Sequence, residues 1–407
     1  MSDQALAGIR VVEWGEFVAA PFCTELLAQM GAEVIKIEPP GAGDEARRYG
    51  PFPKDTPHPE KSGLYLYLNV NKLGITLNPT RPRGRELLLQ ILDKSDVFVV
   101  NQPGLNLKKL GLDYESLQKT NPKLGLIMAL ITPFGTTGLY KDWKGYDINC
   151  SALGGITNTI GYPKRSPLTP PLHQGHHQAG LMTAIAIMLA VLNRDLTGKG
   201  AFIDQSEAEA WATVHIGIGL QPYVEEGRIR RRSGHLSLHR PYPDGVLPCK
   251  DGAVCIDAPQ NRMWQRFIEA IGNPDWAKDP IFKDRVKTSD DYYEQADAFM
   301  SQWLMKHTKA EIFKLLKDAK VPSAPLRTVD EIASDEQLKQ RGFFTGVEHP
   351  VAGKLKYYPG ACYQFSKTPA SVVRSAPLLG EHNEHIFCQW LGYPEKDLAA
   401  WRREEVI

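Results

Sequence analysis

Short β-branched runs alternate with longer stretches of helical period through the first half of the chain. Ile9-Arg10-Val11-Val12-Glu13-Trp14 is an apolar run that stops at Gly15. Pro21 then opens a helical stretch that reaches Met30 and is closed by Gly31, and residues 32–38 read as a second strand. Two strands joined through a helix run parallel, because only such a crossover carries the chain back to the same end of a sheet. The expected class is therefore α/β, a parallel sheet with helices on its faces. Further units follow: a strand at 75–77, a helix at 82–94, a buried strand at 97–100, a helix from Asp113 to about Asn121-Pro122, and a strand at 124–131. A helix at 175–193 leads through Thr197-Gly198-Lys199-Gly200 to a strand at 201–204. The apolar run 181–192 is too short to span a bilayer and ends at Asn193-Arg194-Asp195, so it reads as a buried helix and not a membrane segment.

The pattern changes after about residue 225. The basic run Arg228-Ile229-Arg230-Arg231-Arg232, read as a solvated linker face, and then Pro241-Tyr242-Pro243-Asp244-Gly245 mark a boundary. Beyond it come a hairpin around Lys250-Asp251-Gly252 and helices at 263–271 and 290–307. A length of 407 residues fits two or three domains, and 42% hydrophobic with 23% charged residues is a globular composition with a sizeable core. A formal net charge of +1 argues against nucleic acid or an anionic membrane as partner.

Candidate chemistry is thinned by what the motifs lack. The six cysteines (Cys23, Cys150, Cys249, Cys255, Cys362, Cys388) form no CxxC pair, so neither a zinc site nor a disulfide framework is expected. The N-terminus carries no signal peptide, and the expected location is the cytoplasm. The first turn, Gly15-Glu16-Phe17-Val18-Ala19-Ala20-Pro21, lacks the glycine spacing of a dinucleotide fingerprint. His173, His176 and His177 lie one turn apart, but no adjacent carboxylate or cysteine completes a metal set.

Several segments together resemble the class III CoA-transferases of the formyl-CoA/carnitine type. They are Leu6-Ala7-Gly8-Ile9-Arg10-Val11, then Gly31-Ala32-Glu33-Val34-Ile35-Lys36-Ile37-Glu38-Pro39-Pro40 with Gly43-Asp44, and Leu68-Asn69-Val70-Asn71-Lys72. Leu110-Gly111-Leu112-Asp113-Tyr114, Thr197-Gly198-Lys199-Gly200 and Leu379-Gly380-Glu381-His382 extend the match to both ends of the chain. The resemblance implies a Rossmann-like large domain of parallel strands built from residues 1–225 and 336–407, with a small central α/β domain at 226–335. It also implies an interlocked dimer with active sites where the subunits meet. In such enzymes an aspartate attacks the donor thioester, and the resulting anhydride is converted to an aspartyl thioester that hands CoA to the acceptor acid.

The resemblance places His176 where that aspartate would stand, and Tyr146 where the related α-methylacyl-CoA racemases carry a histidine. It points to Ala19, Asn71, Lys72, Gly104 and Lys109 as CoA-binding positions, while Val18, Val70, Leu73 and Gln102 replace polar or basic residues common there. The expectation is a non-catalytic subunit of a heteromeric CoA-transferase, completing the acyl pocket of a paralogous subunit that keeps the aspartate. The thioester is a substrate held mainly by that partner, and no cofactor is permanently bound. Within the family this chain is most similar to the more divergent subunits of two-chain enzymes that move CoA from succinyl-CoA to benzylsuccinate. A homodimeric acyl-CoA enzyme using His176 and an acyl-CoA-binding regulatory protein are the alternatives.

Overall fold

Six parallel strands form the main sheet: β1 (Arg10–Trp14), β2 (Glu33–Glu38), β3 (Leu73–Thr76), β4 (Val97–Val100), β5 (Ile127–Thr132) and β6 (Ala201–Ser206), in the order β3-β2-β1-β4-β5-β6. The structure is a computed structural model, and it describes residues 4–102, 106–121, 125–215, 220–229, 232–237 and 240–407. Val11 of the central strand pairs with Val34 on one side and Val97 on the other, and Val97 pairs with Ile127. Successive side chains point to opposite faces, so the same strands feed two cores. Val11, Val34, Val97, Val99 and Ile127 enter one; Val12, Ile35, Phe98, Val100 and Met128 enter the other. Burial on both faces is why these strands read as continuous apolar runs and not as alternating ones.

The helices of this unit are α1 (Ala19–Gln29), α2 (Gly63–Leu68), α3 (Pro82–Leu92), α4 (Leu107–Leu110), α5 (Tyr114–Thr120), α6 (Asp147–Leu153), α7 (Gln174–Thr197) and α8 (Glu207–His215). Helix α3 fills one core with Leu87, Leu88 and Ile91, and there it meets Ile386, Phe387, Leu398 and Trp401 from the far end of the chain. Asn71 anchors the same return: its side chain bonds Ser371 O (2.7 Å) and accepts from the backbone N–H of Val373 and Arg374. One compact unit thus comprises residues 4–156, 170–220 and 336–407, and a second comprises 157–169 and 221–335. The second has its own antiparallel sheet, β7 (Asp244–Cys249), β8 (Gly252–Asp257) and β9 (Ser323–Pro325), turning at Lys250-Asp251 as expected. Its core is separate, with Phe267, Phe282, Met300, Leu304 and Ile312 at its centre. In the basic run, Arg228 pairs with Glu226 and Arg232 donates to Asn158 and Tyr162 O; Arg230 and Arg231 lie outside the described residues.

Helix α7 corrects one expectation. Ala179, Gly180, Thr183, Ile187 and Val191 are buried on its inner face. A Cβ on Gly180 would stand 2.6 Å from Ala19 O, so the glycine permits the close approach of α1. Yet Leu181, Ile185, Met188, Leu189, Leu192 and Leu196 are 36% to 78% exposed. The apolar run covers two faces, and this chain buries only one. Length and composition alone would let α7 cross a bilayer; its packed inner face makes it a core helix with one bare side.

Candidate functional site

The strand order reverses between β1 and β4, and the crevice beyond their carboxyl ends is where open α/β sheets place ligands. The β1–α1 loop at that point is fixed by polar contacts. Asn101, just after β4, accepts from Glu16 N–H (2.8 Å) and donates to Glu16 O (3.0 Å), while Phe17 N–H donates to Asp44 (2.9 Å). Phe17 adopts φ 66°, a left-handed conformation uncommon for a bulky residue. Its ring lies edge-on to Tyr49, His173 and His176, with centroids at 5.2, 4.8 and 5.8 Å.

His176 reaches this cluster as the third residue of α7. The chain enters the helix through Leu172 and His173, both left-handed. Gly175 is required here, because a Cβ would fall 2.0 Å from Asp147 Oδ1 and 2.2 Å from Trp211 Nε1. His176 Nδ1 lies 2.8 Å from Oε1 of Glu207, the first residue of α8. Glu207 is 5% exposed, and its second oxygen is buried with no hydrogen-bond partner. Burial disfavours a charged His176, but the hydrogen bond and charge of Glu207, with the charge of Asp147, outweigh it and hold the imidazole above its ordinary pKa. His173 and His177 go the other way: burial, with His176 as neighbour, holds both below the usual histidine range. Burial and the nearby Glu207 push up the Cys150 thiol, which donates to Pro133 O (3.5 Å). Among the described residues no side-chain cluster could hold a metal ion.

Of the expected active-site and CoA-binding residues, His176 joins this cluster, beside His173. Tyr146 precedes α6 with its side chain in solvent, 73% exposed, and its backbone N–H donates to Asn149. Ala19 is buried at the start of α1, Asn71 anchors the returning chain, Lys109 is exposed on α4, and Gly104 lies outside the described residues. Lys72, expected at a CoA-binding position, is placed inside the unit and away from this cluster. It is fully buried, and its three donors go to Glu13 (2.8 Å), Pro21 O (2.8 Å) and Asn69 (2.9 Å), which uses all that an ammonium has. It belongs to a network in which Lys36 bonds Glu13 and Asp44, both at 2.7 Å. Burial works against the Glu13 charge, yet Lys36 and Lys72 bring its carboxyl down to about 2. Burial, aided by Lys36, lowers Lys72 to about 8. Sequence reasoning missed Glu207 and Phe17. An acidic residue opening a helix is ordinary placement against the helix dipole, and nothing in the spacing of 31 residues ties it to His176. Two shallow clefts of about 210 and 420 Å³ flank Pro274 in the other unit and contain none of these residues.

Residues 6–383 match the family described as CoA-transferase family III. A succinyl-CoA–D-citramalate CoA-transferase of Chloroflexus aurantiacus is 32% identical, covering 99% of this chain and 98% of its own. The beta and alpha subunits of a succinyl-CoA–L-malate CoA-transferase of the same organism are 31% and 30% identical, each over 99% of this chain and over 98% and 92% of their own. A crystal structure of a CAIB/BAIF family protein from Brucella suis superposes with a TM-score of 0.83 at 28% identity, over 95% of this chain and 99% of that one.

Proposed function

The chain belongs to CoA-transferase family III, and from that premise we propose that it is one subunit of a two-chain enzyme moving CoA from succinyl-CoA to a carboxylic acid. Its partner is a related subunit that supplies the nucleophilic carboxylate. The observation that supports this reading is the engagement of His176 with Glu207 (2.8 Å), at the position where the resemblance sets the nucleophile. An imidazole can be acylated but cannot become the thioester that ferries CoA between acids. The bare apolar side of α7 supports it too: Leu181, Ile185, Leu189, Leu192 and Leu196, 42% to 78% exposed, line one face of the helix, and contiguous exposed apolar surface is what interaction sites present. A second chain, interlocked with this one, would cover it. Lys72, consumed by the buried network, leaves the CoA contacts to the partner.

The acceptor proposed is a substituted succinate. Benzylsuccinate, expected from sequence, shares that skeleton with the malate and citramalate in the relatives' names. The thioester serves as substrate, and the setting proposed is the cytoplasm. Purification at native expression level, with mass spectrometry of what co-elutes, tests the assembly. A stoichiometric paralogue with aspartate at the place of His176 is expected, and a homodimer active in exchange would overturn the reading. Transfer from succinyl-CoA to L-malate, D-citramalate and benzylsuccinate, compared in parallel, identifies the acceptor.

A further inference from the structure

We infer that His176 and Glu207 form a general-base dyad that hydrolyses acyl-CoA thioesters at this chain's own site, a reaction separate from CoA exchange. The inference rests on the preceding reading in one respect: the acyl thioester must reach the place of His176.

The pair is built in the way a working imidazole is built. Nδ1 is held by the Glu207 carboxylate at 2.8 Å, so the other ring nitrogen, Nε2, is the one left to act. No hydrogen-bond partner meets Nε2 among the described residues, and the ring lies perpendicular to Phe17 and stacked on His173 at the crevice. Both partners ride on regular helices, α7 and α8, and β6, which leads directly into Glu207, is paired with β5 up to Thr132↔Ser206. The cost of the arrangement argues that it is kept for a purpose. A carboxylate buried behind an imidazole, with no lysine or arginine paired to it among the described residues, is expensive to maintain. Structural needs at this position would be met more cheaply by an apolar side chain. A carboxylate behind an imidazole fixes its tautomer and stabilises the imidazolium that forms as a proton is taken up.

The titratable groups facing the ring from every side are Glu207 on α8, Asp147 on α6, and His173 and His177 on α7 itself. The two neighbouring histidines are held below the usual range and His176 above it, so of the three His176 is the one held to its proton by a carboxylate. The chemistry balances without any further reactant. Nε2 takes a proton from water as the water oxygen bonds to the thioester carbonyl carbon. The tetrahedral oxyanion then collapses, the C–S bond breaks, and the imidazolium returns the proton to the CoA thiolate. One thioester and one water give one carboxylic acid and one CoA thiol.

The test uses the protein in its native assembly with succinyl-CoA as the probe and no acceptor acid. Thiol release is followed between pH 5 and 9, and binding of CoA to the same preparation is measured by calorimetry. The expected result is hydrolysis that rises with pH as His176 loses its proton. His176→Gln should reduce it roughly 100-fold or more, the lower range of general-base contributions. Glu207→Gln should lower the plateau roughly tenfold or more and move the rising limb to lower pH, because the negative partner that holds the proton is gone. A merely structural role for Glu207 would change the amount of folded protein but leave the limb in place. Hydrolysis that is indifferent to His176→Gln, or absent while CoA binding and exchange persist, overturns the dyad and leaves the transferase reading standing. Loss of both binding and exchange in the unmodified protein overturns that reading, and the dyad with it.

Discussion

Two clusters of charge lie within one unit of this molecule and obey opposite rules. Below the β1–α1 loop, Glu13, Lys36, Asp44 and Lys72 are buried and joined by contacts of 2.7 and 2.8 Å, with the Lys72 ammonium donating all its protons. At the mouth of the crevice, His176 and Glu207 share a 2.8 Å contact, and the Nε2 atom of the imidazole meets no hydrogen-bond partner among the described residues. The first cluster has no spare donor at Lys72, and a ligand could join it only by breaking it. The second has capacity left over. Within one unit, then, a buried lysine can be absorbed entirely into architecture, while a histidine at the crevice keeps one nitrogen free beside its carboxylate partner.

The comparison can be broken most severely from the buried side. Lys36→Met should cost about 3–5 kcal/mol of stability in urea unfolding, since it leaves Glu13 and Asp44 short of their cation; a loss below about 1 kcal/mol would sink the claim that the network is structural. His176→Asp should have a smaller effect of about 1–3 kcal/mol at pH 7.5, because it sets a second carboxylate against Glu207. Most of that loss should return at pH 5, where one of the two takes up a proton, and melting curves at both values will show it. The pH dependence of the unmodified chain sharpens the contrast in sign. Glu13, depressed from 4.5 to about 2, contributes stability that is present above its unfolded value and lost as pH falls through that window. His176, raised above 6.5, contributes stability that is present below that value and lost as pH rises through its folded pKa. Urea midpoints from pH 2 to 9 should show both effects, and Glu207→Gln should reduce the loss on the alkaline side, to which Glu25, raised to about 7, also contributes, while leaving the acid one in place. Smallest of all, Ile185→Ser with Leu189→Ser on the bare side of α7 should change the stability of the isolated chain by about 0.5 kcal/mol or less. The same pair should weaken assembly with a partner in sedimentation velocity.

Much of the fold was legible in the residues. The runs at 9–14, 32–38 and 97–100 became β1, β2 and β4 because strands buried on both faces must be apolar throughout. The hairpin at Lys250-Asp251-Gly252 was signalled by its turn chemistry. Helix α7 was placed correctly but not its exposure: an apolar stripe left exposed and one facing a core have the same sequence signature. The site was less legible. His176 stood out only through resemblance, and its partner Glu207 was hidden because the two meet through the packing of α7 on α8, a contact with no local signal. Lys72 misled for a related reason. A lysine in a motif reads as a free cation until burial shows that its protons are taken.

The return of residues 386–401 to the core beside α3 has a consequence for the timing of synthesis. A ribosome extends the chain at about 5–20 residues per second. After β6 and α8 emerge, roughly 10–40 s pass before Ile386, Phe387, Leu398 and Trp401 are available to cover Leu87, Leu88 and Ile91. During that interval the central unit, whose own core draws on residues 236–321, can finish while the earlier sheet waits with one face open. Nascent chains stalled near residue 335 should therefore resist protease across the central unit and be cut readily in the sheet that was made first.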